Sequence, residues 1–303
     1  MSEAASPSTG KPYGVSLVCR LWGAPRSSLY ASRREQERDS RLLAHRKRGP
    51  KTPLSDEELL ALIRDDIDSS PFEGEGHRKV WARLRIQREV RVSRKRVLRL
   101  MREAHLLSPH RSRPRNPNPH VGEIITREPD VMWGTDGARV FTVEEGWGWI
   151  FAAVEHWNSE CVGWHVSKRG DRYAALEPVS MGLTDIYGSV EAGVARGLSL
   201  RMDHGTQYLA DHFQNQIRYW GIAPSFAFVE QPQTNGVAER FIRTLKEQVI
   251  YGRIFRNMEE VREVVAAFVK RYNEEWLVEK MGFLSPHQAR EAWHNGDLLE
   301  KAA

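Results

Sequence analysis

Hydrophobic residues follow a helical period in the first third of the chain. After Ser55, Leu and Ile recur at three- and four-residue intervals, which predicts a helix from about Asp56. Ser55 and Glu58 have the spacing of a capping box, which supports that start. Ser93 is the candidate cap of a later helix over residues 94–104. The first third is therefore predicted to be all-α.

Two parts of this helical region have a helix–turn–helix pattern. In the first, helices over 15–22 and 27–33 are separated by a turn at Gly23. In the second, a helix that begins near His77 precedes the helix over 94–104. The second helix of such a pair can lie in the major groove of DNA.

Further along the chain, short runs rich in β-branched and aromatic residues replace the helical period. The first two runs, 131–135 and 138–143, are separated at Asp136 and Gly137. The order of runs predicts three antiparallel strands followed by alternating helices and strands, which is an α/β fold with a mixed sheet. The other predicted strands are 147–154, 161–166, 198–202 and 224–228, and the predicted helices are 172–187, 211–220, 235–251 and 258–272.

A segment rich in proline and arginine separates the two patterns. Residues 109–120 contain four prolines and three arginines, which predicts an extended, semi-rigid linker. We therefore expect five segments: a helix–turn–helix with a basic linker (1–54), a helical DNA-binding segment (55–108), the linker (109–122), the α/β core (123–255) and a helical C-terminal extension (256–303).

The net charge of +5 hides an uneven distribution along the chain. Residues 77–115 contain fourteen Lys or Arg and two acids, a net +12, which leaves −7 for the rest. A basic region interleaved with apolar residues at helical spacing favours binding to a polyanion, whereas a solvated helix face is the simpler alternative. On the exposed side of the helix over 94–104, the predicted DNA contacts are Arg94, Lys95, Arg96 and Arg99.

Composition excludes several classes of protein. Two cysteines, Cys19 and Cys161, are too few for a disulfide scaffold or a zinc site built from Cys. No apolar run approaches the roughly 20 residues that cross a bilayer, and the first dozen residues lack the apolar stretch of a secretion signal. We expect a cytoplasmic protein with no membrane partner.

Three acidic residues lie at the positions where α/β proteins place their chemistry. Asp136 ends or interrupts the first strand, Asp203 ends the fourth, and Glu239 lies early in the helix after Asn235. Each alone is more typical of a turn or cap. Three carboxylates that converge would need a cation between them, and such ligands suit Mg²⁺ or Mn²⁺. Two such ions would support cleavage of a phosphodiester.

The sequence around these acids resembles a known family. Asp203 and Glu239 are separated by 35 residues, and Glu239 stands in the string Asn-Gly-Val-Ala-Glu-Arg-Phe. These features are similar to the DDE catalytic core of retroviral-type integrases, and above all to the second-reading-frame transposases of the IS3 family of insertion sequences. Ala138 departs from the family, because many relatives carry Thr there. The resemblance extends to 15–30, 76–80, 92–102, 271–274 and 285–289.

The resemblance implies an RNase H-like fold and a DNA transposase. Asp136, Asp203 and Glu239 would hold two Mg²⁺ ions, with Mn²⁺ able to replace them. The enzyme would cleave phosphodiesters at the element ends and join the freed 3′-hydroxyl to target DNA. Arg243 and Lys246, on the same face of the helix as Glu239, would contact DNA beside the metals.

The resemblance also implies partners. Double-stranded DNA would bind as terminal repeats and as target, in a homo-oligomer at the bacterial nucleoid. The upstream-frame protein of the same element is a further expected partner. Two alternatives stay open at this point: a non-catalytic DNA-binding repressor or inactive remnant, and a metal-dependent nuclease without joining activity.

Overall fold

The computed structural model describes residues 4–37, 54–108, 125–226 and 235–297. The chain divides into two compact units, Met1–Leu54 and Ser55–Ala303. The predicted linker over 109–122 lies outside the described residues. None of the helices in the described ranges is long and apolar enough to cross a membrane.

The first unit contains the predicted pair of short helices. Helix α1 spans Val15–Leu21 and helix α2 spans Arg26–Glu37. The turn between them includes Gly23, whose positive φ of 63° is a conformation that glycine adopts without strain. Cys19 on α1 is buried.

The second unit begins with three helices that contact one another. Helix α3 (Asp56–Ser69) starts at the predicted capping box, in which Ser55 and Glu58 each accept a backbone N–H from the other. Helices α4 (His77–Ile86) and α5 (Arg94–Glu103) follow, and Ser93 caps α5 as predicted. The residues buried between the three helices are Leu59, Ile63, Val80, Leu84, Val97 and Met101.

A mixed five-stranded sheet forms the centre of the second unit. Its strands lie in the order β3-β2-β1-β4-β5. The first three strands pair antiparallel, whereas β4 and β5 run parallel to β1. The strands are β1 (Met132–Thr142), β2 (Gly146–Glu155), β3 (Cys161–Ser167), β4 (Ser199–Met202) and β5 (Ala223–Phe226).

Helices cover both faces of this sheet. One face packs against α6 (Arg172–Tyr187) and α8 (Asp211–Tyr219), and the short helix α7 (Thr206–Leu209) precedes α8. The other face packs against α9 (Gly236–Leu245) and α10 (Met258–Glu275). The predicted mixed five-stranded sheet with flanking helices, preceded by a helical segment, is thereby confirmed. A last helix, α11 (Pro286–His294), contacts α10.

The structure differs from the sequence prediction in three elements. Strand β1 runs without a break through Asp136 and Gly137, because β2 pairs with it along its whole length from 133 to 142. The helix predicted over 235–251 changes after Leu245 to a π-helical turn, Lys246–Ile250. Helix α7 was not predicted.

The position of five tryptophans in or beside the predicted strands predicts that they lie in the sheet core: Trp133, Trp147, Trp149, Trp157 and Trp164. Two of them are buried, Trp133 and Trp157. Trp149 and Trp164 are half-buried, and Trp147 is 52% exposed. Trp147 stands at the start of β2, beyond the part of the sheet that α6 covers, so the prediction is wrong for this residue.

The three-helix segment packs against the C-terminal part of the same unit. Phe72 meets the Trp276 ring edge-on at 5.0 Å, and the Lys79 ammonium lies 2.7 Å from the centre of that ring. Two hydrogen bonds, both shorter than 3 Å, join Glu73 to Gln248. The backbone N–H of Glu73 donates to the Gln248 side-chain oxygen, and the Gln248 side-chain amide donates to the backbone carbonyl of Glu73. The helices that precede the linker and the residues that follow the sheet therefore form one packed body.

Candidate active site

Asp136 lies in the middle of β1, not at its end. Its neighbours Ala138 and Val140 alternate onto the face that α9 and α10 cover, so the Asp136 side chain belongs to that face. Its carboxylate accepts a hydrogen bond of 2.7 Å from the backbone N–H of Gly137. The strand thus places a carboxylate within a largely apolar layer.

Asp203 comes directly after β4 and reaches the level of Asp136. Gly134 of β1 pairs with Arg201 of β4 in parallel register. Two residues further along each strand stand Asp136 and Asp203, so both lie at the same edge of the sheet. Asp203 is exposed and accepts a 2.8 Å hydrogen bond from the backbone N–H of Gly205.

Glu239 reaches this edge from α9, whose start is fixed to β1 by a hydrogen bond. The buried Asn235 side chain donates to the backbone carbonyl of Thr135, the residue before Asp136, at 3.0 Å. A Cβ on Gly134 would lie 3.3 Å from the Cβ of Ala238, which shows how closely α9 approaches the strand. One turn beyond Asn235, Glu239 stands exposed.

The charges of Asp203 and Glu239 both act on Asp136. Burial and, to a smaller extent, these two negative charges raise the pKa of Asp136 to about 6, against the hydrogen bond from Gly137. The Lys246 ammonium acts in the opposite direction and lowers the pKa of Asp136. Among the described residues, no three His, Cys, Asp or Glu side chains are close enough together to hold a metal ion as they stand.

Of the two cations predicted beside the acids, Lys246 lies within electrostatic reach of Asp136. Arg243 is exposed and forms an ion pair with Glu247 at 2.7 Å. The structure therefore brings Lys246 to the acids and places Arg243 on the outer surface of α9. Contact with DNA stays a prediction for both.

The four predicted DNA contacts on α5 differ in their surroundings. Arg94 and Lys95 are exposed, and Arg94 lies 3.6 Å from Glu279. The other two, predicted to be exposed as well, are partly buried because both pair with Asp56, Arg96 at 2.7 Å and Arg99 at 2.6 Å. Arg99 also pairs with Glu103. The basic charge of α5 is therefore balanced in part by acids on α3 and α5.

Sequence reasoning missed the structural part that Asn235 plays. The Asn-Gly pair at 235–236 predicts a turn before the helix, yet Asn235 is only 1% exposed and lies between α9 and β1. Its Oδ1 atom and the Nε2 atom of His156 are buried without a hydrogen-bond partner among the described residues, and both border Gly134. Burial, together with the positive charges of Lys280 and Arg201, lowers the pKa of His156 to about 4. The one available signal was the Asn-Gly pair before the helix.

Comparison with known proteins indicates which families this chain resembles. Residues 220–292 match the family model of the integrase core domain, and residues 55–114 match that of an HTH-like domain. Transposase InsD for insertion element IS2A/D/F/H/I/K of Escherichia coli is 26% identical over 94% of this chain and 94% of its own length. The chain is therefore similar to insertion-sequence transposases over most of its length, and it contains an integrase-core segment and an HTH-like segment.

Two further similar proteins are an insertion-element protein and the core of a viral integrase. An uncharacterized 48.2 kDa protein of insertion element IS2A from Escherichia coli is also 26% identical, over 94% of this chain. The chain spans 66% of that protein, just under two thirds of its length. The catalytic core domain of BIV integrase matches 55% of the chain and 98% of its own, with a TM-score of 0.39 and 18% identity.

Proposed function

We propose that this transposase cleaves phosphodiester bonds at the ends of its insertion sequence and joins the freed 3′-hydroxyl to target DNA. The observation that supports this most directly is the convergence of Asp136, Asp203 and Glu239 from two strands and a helix onto one edge of the sheet. Burial raises the pKa of Asp136, and the negative charges of Asp203 and Glu239 also raise it. Carboxylates that act on one another in this way favour a site that works with bound cations.

The donor chemistry of the three acids fits divalent metal ions. Carboxylate oxygens are hard ligands, which Mg²⁺ prefers and which Mn²⁺ also accepts. A cation would relieve the repulsion that raises the pKa of Asp136. We assign two Mg²⁺ ions to Asp136, Asp203 and Glu239, with Mn²⁺ able to replace them. Ions held by these carboxylates would supply Lewis-acid chemistry for the attacking and the leaving oxygen.

The side chains of the chain supply the rest of the site. In the first step a water oxygen attacks phosphorus and the 3′-oxygen leaves as a hydroxyl. In the second step that hydroxyl attacks a target phosphodiester, and a target 3′-oxygen leaves. Both steps are in-line displacements, so one arrangement of Asp136, Asp203 and Glu239 serves both. Lys246 and Arg243 provide positive charge for the phosphates on either side.

The DNA-binding segment and the core together suggest the larger assembly. Both element ends must be held during joining, which favours a homo-oligomer on double-stranded terminal repeats and target DNA. The upstream-frame protein of the same element is a further partner in this proposal. Because the proposed reaction uses chromosomal DNA, we expect the protein at the bacterial nucleoid.

The test uses the purified full chain with Mg²⁺ and labelled duplexes that carry the ends of its element. Wild type is compared with Asp203→Asn, and with Asp185→Asn as a matched control on the exposed side of α6. We expect wild type and Asp185→Asn to nick and join the DNA, and Asp203→Asn to lose both activities. A nicked product without joined product would favour the nuclease alternative.

DNA binding measured on the same samples separates the remaining alternative. Equal binding by all three proteins, with no cleavage by any of them in Mg²⁺ or Mn²⁺, would contradict the proposal and favour a non-catalytic repressor. A chelator such as EDTA should abolish cleavage by wild type without abolishing binding.

A further inference from the structure

Part of the sheet face that packs on α6 is not covered by any other described residue. The helix covers the sheet as far as Phe151, which is fully buried, and Trp149, which is half-buried. Beyond them, the β1–β2 hairpin presents Phe141 and Trp147, which are 51% and 52% exposed. Arg139 is exposed on the same face. Two large rings and a guanidinium therefore stand in solvent on a rigid strand pair.

This uncovered face lies at the edge of the sheet that holds the acids. Strands β1, β3 and β4 all run in the same direction, so their carboxyl ends share one edge. Asp203 follows the end of β4. Lys168 follows the end of β3 and is exposed, and α6 begins four residues later with the exposed Arg172 and Tyr173. The hairpin and the start of α6 thus lie at the same end of the sheet as Asp203, whereas the Asp136 side chain belongs to the opposite face.

Cations and rings alternate on this surface. The Arg139 guanidinium lies 4.5 Å from the centre of the Trp147 ring and 6.0 Å from that of Trp149. The Arg172 guanidinium lies 5.5 Å from the Tyr173 ring. We call the set of exposed side chains the aromatic–basic face: Arg139, Phe141, Trp147, Lys168, Arg172 and Tyr173.

The positive charge of the aromatic–basic face is not neutralised by nearby acids. Within the described part of the chain, no carboxylate forms an ion pair with Arg139, Lys168 or Arg172. The neighbouring Asp171 instead accepts the backbone N–H groups that begin α6. This contrasts with α5, where Asp56 holds two arginines.

We propose that the aromatic–basic face binds a DNA strand whose bases are unstacked, and this rests on the proposed function of the chain. Every base offers a π-face to an exposed ring, while guanidinium and ammonium groups follow the phosphates. An intact duplex offers no base face to Trp147 or Tyr173, so the face fits a single-stranded or frayed segment. A second copy of this chain would repeat the same cations opposite one another and is disfavoured by charge.

The experiment uses the full chain carrying Asp203→Asn, which keeps the DNA uncut. Fluorescence anisotropy measures affinity for an oligonucleotide as single strand, frayed end and intact duplex. The test variants are Trp147→Ala and Arg139→Ala. The matched controls are Tyr219→Ala and Arg196→Ala, both exposed and close to the start of β4, at the opposite edge of the sheet.

We expect Trp147→Ala to lose roughly five-fold or more in affinity for the single strand and the frayed end, because one stacked base contributes that much. Affinity for the intact duplex and the affinities of both controls should change less than two-fold. Cross-linking of 5-iodouracil in the single strand, mapped by mass spectrometry, should mark Trp147 or Tyr173. Trp147 is half exposed, so thermal melting should confirm that its variant stays folded.

Unchanged single-strand affinity in Trp147→Ala and Arg139→Ala, with cross-links only elsewhere, would overturn the proposal. So would a monomer–dimer equilibrium, measured by sedimentation, that Trp147→Ala abolishes while DNA affinity stays the same. Because the Asp203→Asn background needs no catalysis, these results are independent of the cleavage test. A chain that binds frayed DNA through this face yet never cuts it would contradict the proposed function alone.

Discussion

At the scale of single residues, Asp136 has the most informative surroundings. The sequence pattern located it beside a strand, but only the structure shows that it is held within a continuous strand, under two helices. Burial and two neighbouring acids raise its pKa to about 6. A buried carboxylate in this position weakens the fold unless a cation compensates its charge. The loss of stability that Asp136 causes in the metal-free protein therefore indicates that the site binds a cation.

We expect Asp136→Asn to stabilise the metal-free protein at pH 7.5, by up to about 3 kcal/mol for a shift of two pKa units. The folded-state pKa lies above the unfolded one, so the wild-type free energy of unfolding should fall as pH rises from about 4 to 6. The variant should lack that component. Chemical denaturation in EDTA across this pH range measures both effects.

Addition of Mg²⁺ provides the control for this prediction. It should raise the melting temperature of wild type at pH 7.5 and leave that of Asp136→Asn nearly unchanged. Identical pH profiles for the two proteins in EDTA would show that Asp136 ionises normally in the fold.

At the scale of elements, the contact between α9 and β1 determines where Glu239 stands. Asn235 donates to Thr135, and Gly134 leaves room for the first turn of the helix. The periodicity predicted that α9 exists and begins after Asn235. It could not predict the contact, because the two partners are separated by 100 residues along the chain. For the same reason the pairing of Arg96 and Arg99 with Asp56 was missed.

Gly134→Ala should therefore misplace Glu239. The new Cβ would lie 3.0 Å from Asn235 Oδ1 and 3.1 Å from His156 Nε2, so α9 must shift. We expect a loss of about 1–3 kcal/mol in the free energy of unfolding and a fall in Mg²⁺-dependent cleavage that reaches about 100-fold.

Gly236→Ala is the matched control for Gly134→Ala, because a Cβ there meets no atom within 4 Å. Its stability and cleavage rate should stay close to wild type. Equal effects of the two substitutions on cleavage would show that the spacing between helix and strand does not matter. Circular dichroism and a quantitative nicking assay make the comparison.

At the scale of the whole molecule, the order of helices and strands could be predicted and their assembly could not. Capping boxes and strand runs are local signals, so α3, α5 and the sheet strands appeared where expected. The packing of Phe72 and Lys79 on Trp276 joins residues about 200 apart and has no local signal. The charge pattern predicted a basic front half, yet several of its arginines have acidic partners. Glu279 holds two of them, Arg78 at 2.6 Å and Arg94 at 3.6 Å.

Glu279→Gln should release Arg78 and Arg94 and so increase affinity for duplex DNA a few-fold at low salt. The slope of log affinity against log salt should steepen, because more phosphates are neutralised. Glu275→Gln removes an equal charge from an exposed position at the end of α10 and controls for net charge. An equal gain in both variants would rule out a specific effect of the Glu279 pairs. Anisotropy titrations between 50 and about 200 mM salt suffice.

The packing of the three-helix segment on the C-terminal part limits how this protein can be recombined with its relatives. A chimera that exchanges residues 55–108 alone would place a foreign surface against Trp276, and would remove Lys79, whose ammonium lies over that ring. The exchange that keeps the contact intact transfers residues 55–108 together with residues 276–283. Engineering of new DNA specificity in this scaffold should therefore treat two distant stretches of sequence as one cassette.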